Sequence, residues 1–156
     1  TLGYIAALAP TGVQSIAMGA PSGPLGIIYR KTDYAQPYYD ALSREAVYPA
    51  FHVIAGLTRA SGAKLVAVAN ADEAKLRTLA YRAKNATLLW IANATSEPQQ
   101  VKLSHGGSQV YALTLDEHSF ERATQNPRGF QQAGSVMRGS AIELGAYAVA
   151  ILCIDD

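Results

Sequence analysis

The sequence predicts a mainly β protein: from residue 63 to 156, an antiparallel sandwich of about eight short strands, preceded over residues 1–62 by a helix–strand–helix piece of α/β character. Three observations carry this reading. The stretch Leu76–Thr95 reads as two strands reversing at Ala83-Lys84-Asn85-Ala86. In its first strand Leu79, Tyr81 and Ala83 alternate with Thr78, Ala80 and Arg82, and in its second Leu88-Leu89-Trp90-Ile91-Ala92 is apolar on both faces, as in a covered central strand. After it come closely spaced short apolar runs separated by turn residues, the pattern of an antiparallel sandwich. Before it, helical and strand patterns alternate around a long polar loop.

Taken in order, Leu2, Ile5, Ala6 and Ala9 fall at helical spacing, with Pro10 and Gly12 as a stop. Val13–Ala20 reads as a short buried strand, Pro21-Ser22-Gly23-Pro24 as a turn, and Leu25–Tyr29 as a second short strand or extended arm. Residues 31–46 are polar and tyrosine-rich, an irregular loop. Tyr48-Pro49 opens a helix with the apolar stripe Ala50, Val53, Ile54 and Leu57, ended by Ser61-Gly62. One strand and two helices do not close a parallel sheet, so residues 1–62 are expected to belong to a truncated domain. The strands expected thereafter are 64–70, 75–84, 87–94, 99–103, 109–115, 130–138, 140–144 and 147–154. The sole tryptophan, Trp90, and Leu79 are expected to point into the sandwich.

Composition narrows the function classes. Hydrophobic residues make up 49% and charged residues 16% of the 156 positions, which is core-forming rather than disordered material. A formal net charge of +1 lacks the basic field of a general nucleic-acid binder. No apolar run reaches the roughly 20 residues that span a bilayer, so no membrane partner is expected. The single cysteine, Cys153, lies in an apolar terminal strand and reads as a buried, inert thiol. The chain opens in mid-helix without an initiator Met or signal peptide, suggesting a piece of a longer polypeptide.

Several segments resemble a known family. Leu79–Ala83, Thr87–Thr95 and Glu97-Pro98-Gln99-Gln100-Val101-Lys102-Leu103 resemble the hairpin of sandwich domains that trail glycoside-hydrolase-like TIM barrels. Residues 142–150, Ile-Glu-Leu-Gly-Ala-Tyr-Ala-Val-Ala, resemble the last strand of that module. Tyr4–Leu8 and Gly12–Ala17 resemble the last inter-strand helix and final strand of the barrel. Ser22-Gly23-Pro24-Leu25-Gly26 and Tyr48-Pro49-Ala50-Phe51-His52-Val53 resemble the segment that follows. The combination is most similar to the D-apionate lactonase-like branch of barrel enzymes with a C-terminal sandwich. The resemblance implies that residues 1–62 are the end of a (β/α)8 barrel and that the rest of that barrel is a partner. It also implies a glutamate at the end of the final strand, where this chain has Met18-Gly19-Ala20-Pro21. Ala20 can neither attack nor shuttle a proton.

No catalytic set emerges from the residues themselves. Glycoside hydrolysis uses two carboxylates roughly 5–10 Å apart. Before residue 63 the acids are Asp33, Asp40 and Glu45, all in or beside the polar loop and read as solvated charges. Asp116, Glu117, His118 and Glu121 lack metal-ligand spacing and read as a polar turn, so no metal is expected. His52 reads as a partly buried helix histidine. Ser15 and Ser22 sit in no nucleophile elbow, and Gly106-Gly107 is a turn rather than a phosphate cradle, leaving no cofactor motif. Asn85-Ala86-Thr87 and Asn93-Ala94-Thr95 are formal glycosylation sequons. The best substrate-contact residues are Tyr34, Tyr38 and Tyr39, whose rings suit sugar faces, against the alternative that they cover a barrel end or an interface.

The expected function is a non-catalytic C-terminal sandwich with a barrel end, from a carbohydrate-acting hydrolase of glycosidase or sugar-lactonase type. A carbohydrate-binding or protein-interaction module is the alternative. The expected ligand is a saccharide or sugar acid. The exposed edges and apolar faces of residues 1–62 are expected either to fold back on the sandwich or to pair with a second copy, with pairing favoured.

Overall fold

The computed structural model describes residues 1–23, 26–104 and 109–155. Pro24, Leu25 and the Gly106-Gly107 turn lie outside the described residues. Helix α1 (Leu2–Leu8) runs into a single 3-10 turn at Ala9–Thr11, closed by Gly12 at φ +79°. Strand β1 (Ala20–Ser22) pairs in parallel with β2 (Gly26–Ile28). Only glycine fits at 26, because a Cβ there would lie 2.5 Å from the Ser22 carbonyl carbon.

Residues 13–18 were expected to begin a buried strand, but they join no strand, and Val13 is 43% exposed. A parallel strand is held by neighbours on both edges, and β2 reaches only Ala20–Ser22. The tyrosine-rich segment expected to be irregular contains one helical turn, α2 (Pro37–Asp40), with Pro37 at its first position. Helix α3 (Ala50–Thr58) forms as its apolar stripe predicts.

A six-stranded antiparallel sheet follows: β3 (Leu65–Val66), β4 (Leu76–Ala83), β5 (Ala86–Asn93), β10 (Val149–Asp155), β7 (Val110–Leu115) and β8 (Ser135–Val136), in that spatial order. β6 (Gln99–Lys102) and β9 (Ala141–Leu144) form a separate antiparallel pair. The predicted hairpin closes through Lys84-Asn85, with Ala83 opposite Ala86.

Residues 120–131 depart from the reading by sequence. Instead of a polar turn and a strand from Phe130, they form α4 (Phe120–Gln125) and α5 (Pro127–Gln131). Asn126 accepts the Gly129 N–H at 2.9 Å and Pro127 takes the first helical position, so this stretch caps a helix rather than turning between strands. Strand pairing resumes only at Ser135–Val136.

Register sorts the sheet's two faces. Ala80 lies opposite Leu89, Leu89 opposite Leu152, and Leu152 opposite Ala112. This row packs with Val101, Ile142 and Leu144 of the β6–β9 pair, forming the sandwich core. The adjacent row, Leu79, Trp90, Ile151 and Leu113, faces the other way. It packs with Leu2 and Ile5 of α1, Val53 and Leu57 of α3, and Ala123 and Phe130 of α4 and α5. Leu79 and Trp90 are buried, yet they point toward the helices and not into the sandwich as expected. Alternation reveals that there are two faces; it does not say which layer each one meets. Residues 1–62 thus fold back on the sheet within one chain and share a core with it.

Candidate functional site

Trp90 is the anchor of the shared core. It is 2% exposed, and its six-membered ring lies against α3 at Gly56, where a Cβ would come within 2.4 Å of Cη2. Beside it His52, 3% exposed, packs its ring 4.5 Å from that of Phe130. The His52 Nε2 lies 2.9 Å from the Ala123 carbonyl oxygen. A carbonyl only accepts, so Nε2 carries the proton and the ring is the Nε2–H tautomer. Burial lowers its pKa, against a smaller opposing effect of that hydrogen bond. The Val47 N–H donates to the Thr124 carbonyl at 3.0 Å, and the seam is continuous from α3 to α4. His52 therefore serves packing between the two parts.

Along the same seam lies an aromatic patch. Tyr38 and Tyr39 of α2 meet edge-on at 5.1 Å, Tyr39 stacks on Tyr29 at 5.3 Å, and Tyr39 lies 4.7 Å from Tyr48. Phe120 of α4 closes the cluster, 5.1 Å from Tyr38. Polar bonds fix the rings. Asp40 accepts the Tyr29 hydroxyl through Oδ1 and the Gln36 N–H through Oδ2, the latter at 2.7 Å, while the Tyr48 hydroxyl donates to Gln36 Oε1 at 2.8 Å. The Asp40 carboxylate pushes the Tyr29 phenol up to about 12, since a phenolate beside it would lose the hydrogen bond and gain repulsion. The same hydroxyl, then the Gln36 N–H, holds Asp40 below the usual carboxylate range. Tyr39 is raised chiefly by burial.

Of the three tyrosines singled out by sequence, Tyr38 and Tyr39 are brought together. Tyr34 stands apart, 71% exposed and without a described ring contact. Tyr29, Tyr48 and Phe120 join the patch unforeseen. Tyr29 and Tyr48 lie just outside the tyrosine-rich loop of residues 31–46, and nothing local to Phe120 points to it.

Asp40 is tied down, Asp33 and Glu45 are exposed, and Ala20 is exposed at the start of β1. In the acidic turn, Asp116 and Ser119 exchange hydrogen bonds, and exposed Glu117 and His118 lie 3.5 Å apart. Among the described residues no group of three or more His, Cys, Asp or Glu is placed to hold a metal ion, and no helix is long and apolar enough to cross a membrane. Cys153 is half-buried, not fully buried, with its thiol pKa raised first by burial and then by Asp155. Asn93 is 2% exposed, and its Nδ2 donates to the Glu97 and Gly145 carbonyls at 2.7 and 2.8 Å. The amide of this sequon is inaccessible in the folded chain, whereas Asn85 is exposed in its turn.

Residues 73–152 match the model of the C-terminal immunoglobulin-like domain of D-apionate lactonase, and residues 1–62 match that of its TIM barrel domain. The chain belongs to the D-apionate lactonase family. The family's two domain types thus supply the two sides of the seam, the barrel piece with α1 and α3 and the immunoglobulin-like part with Trp90. Among solved structures, a GH30 endoxylanase from Clostridium papyrosolvens C71 aligns with a TM-score of 0.51 and 15% identity, over 70% of this chain and 28% of that one. The family 30 subfamily 8 xylanase Xyn30A from Clostridium acetobutylicum gives 0.49 and 15%, with the same coverage. The first likeness concerns the fold alone. The chain spans 28% of the length of each of these structures. Among curated proteins there is no match.

Proposed function

We propose that this chain is the barrel end and C-terminal sandwich of a carbohydrate-acting hydrolase of sugar-lactonase or glycosidase type, with residues 1–62 as barrel and 63–156 as sandwich, and that its own role is structural rather than catalytic. The single observation that carries the reading is the shared core. Much of one face of the six-stranded sheet is covered by α1 and α3, with Trp90 against Gly56 and α4 and α5 completing the layer, which is how a domain serves as a buttress. Membership in the D-apionate lactonase family supports the hydrolase part. The tied-down Asp40, the exposed Asp33 and Glu45 and the alanine at position 20 support the non-catalytic part. In this reading residues 13–18 meet the rest of the barrel, and Tyr34, Tyr38 and Tyr39 are the residues that would contact a saccharide or sugar acid.

The test is a hydrolysis assay of the chain on a panel of sugar lactones and aryl glycosides. No rate above the uncatalysed one is expected. Turnover that disappears on changing Asp33, Asp40 or Glu45 would refute the structural role. Concentration-dependent sedimentation separately addresses pairing of two copies through residues 1–62.

A further inference from the structure

A cleft of about 830 Å³ opens in the C-terminal part, beside α4, β7 and β8, with Arg44 reaching it from residues 1–62. Its wall carries Arg44 from the segment before α3, Arg122 from α4 and Arg138 from the loop between β8 and β9. Among the described residues none of these three guanidinium groups makes a hydrogen bond or ion pair. Glu121, the one carboxylate among the described lining residues, already accepts from Gln125 Nε2 at 3.3 Å. Among the described lining residues three arginines against one glutamate leave a charge of +2, although the whole chain carries only +1. Positive charge gathered in a concave wall repels itself and raises the local concentration of anions. Guanidinium forks match carboxylate and phosphate oxygens in pairs.

The remaining wall combines hydroxyl partners with apolar side chains such as Leu113, Phe130 and Met137. Thr114, Gln125 and Ser135 line it beside the arginines. Gln125 also reaches the Tyr38 hydroxyl at 3.3 Å, so the cleft adjoins the aromatic patch. The volume falls within the roughly 300–1,000 Å³ of small-molecule sites.

We propose that this cleft binds an oxyanion-bearing sugar, either a sugar acid or a sugar phosphate. The anion site stands on the three arginines, which are unpaired among the described residues. The choice of a sugar among oxyanions rests also on the proposed carbohydrate function.

The test is calorimetric titration of the intact chain with D-galacturonate, glucose 6-phosphate, glucose, acetate and inorganic phosphate at low and moderate salt. Saturable binding of D-galacturonate or glucose 6-phosphate is expected. Added salt should weaken it, and Arg122→Gln or Arg138→Gln should weaken it about tenfold or more. Both arginines are exposed, so an unchanged unfolding temperature should accompany the loss. Which of the two sugars binds assigns the oxyanion. The proposal is overturned if neither binds, if glucose binds equally, if acetate or phosphate binds as tightly as the sugars, or if both arginine variants bind like the parent chain. These readouts are independent of hydrolytic turnover, so failure here is distinguishable from failure of the structural reading.

Discussion

Replacing Gly56 by alanine tests the seam directly, because two effects of opposite sign compete there. Alanine favours a helix interior over glycine by about 1 kcal/mol. Against this, its Cβ would come within 2.4 Å of Trp90 Cη2 and 2.5 Å of Cζ2, while carbon atoms in contact settle at about 3.5–4.0 Å. The overlap exceeds an ångström, and the ring is rigid, 2% exposed and flanked by Leu79 and Ile151 on the adjoining strands. Overpacking of this kind costs about 1–3 kcal/mol, and a ring held from both sides belongs at the upper end. The expected net loss is about 2 kcal/mol, or roughly 4–8 °C in unfolding temperature for a chain of this size. Trp90 is the sole tryptophan, so its fluorescence during urea and thermal unfolding reports the site itself. On a Trp90→Phe background the two contacting ring atoms are gone, and Gly56→Ala should become neutral or stabilising. Equal or greater stability of Gly56→Ala in the parent chain would refute the close helix–ring contact.

Other expectations follow from the same seam and from the strand ends. Burial lowers the His52 pKa in the folded chain, so the unfolded chain binds more protons as pH falls through its ordinary pKa of about 6.5. Its contribution is complete above that pH and is lost as pH falls below it. Urea midpoints between pH 8 and 5 should show this slope, flattened in His52→Gln. Tyr29 should ionise near pH 12, and Asp40→Asn should bring it down toward 10 in an ultraviolet titration. Its raised pKa implies stability that is complete below about pH 10 and lost above it. Asp40, with a lowered pKa, contributes above the ordinary carboxylate range and loses that contribution on acidification. Asn93→Asp would set a carboxylate oxygen against the Glu97, Leu144 and Gly145 carbonyls that now accept from Nδ2. A loss of about 3 kcal/mol or more is expected by chemical denaturation, and a loss under 1 kcal/mol would contradict the network.

The strands most legible in the sequence were those whose two faces are both covered. β5 and β10 carry apolar residues at nearly every position, β4 does so over Leu79-Ala80-Tyr81 between Arg77-Thr78 and Arg82, and the Lys84-Asn85 reversal sets the hairpin's register. The short helices α4 and α5 were not legible. Six and five residues are too few to display a 3.6-residue period, although Asn126-Pro127 held a usable capping signal. Residues 13–18 misled because an apolar run reports affinity for a sheet without supplying its neighbours. Local spacing marked Tyr38 and Tyr39 as a pair. It could not join them to Phe120, more than eighty residues away, and it could not gather Arg44, Arg122 and Arg138 around one cleft. Such groupings depend on how α2, α3 and α4 dock, which no local pattern encodes.

The shared wall around Trp90 has an evolutionary consequence. A sandwich whose outer face is polar can be recombined onto a new catalytic partner by a simple gene fusion. Here Leu79, Tyr81, Trp90 and Leu115 would arrive uncovered unless the recipient offered a helix notched by a glycine opposite the indole. The two segments are therefore expected to be inherited together, with Gly56 and Trp90, and likewise His52 and Phe130, drifting as matched pairs rather than as independent sites.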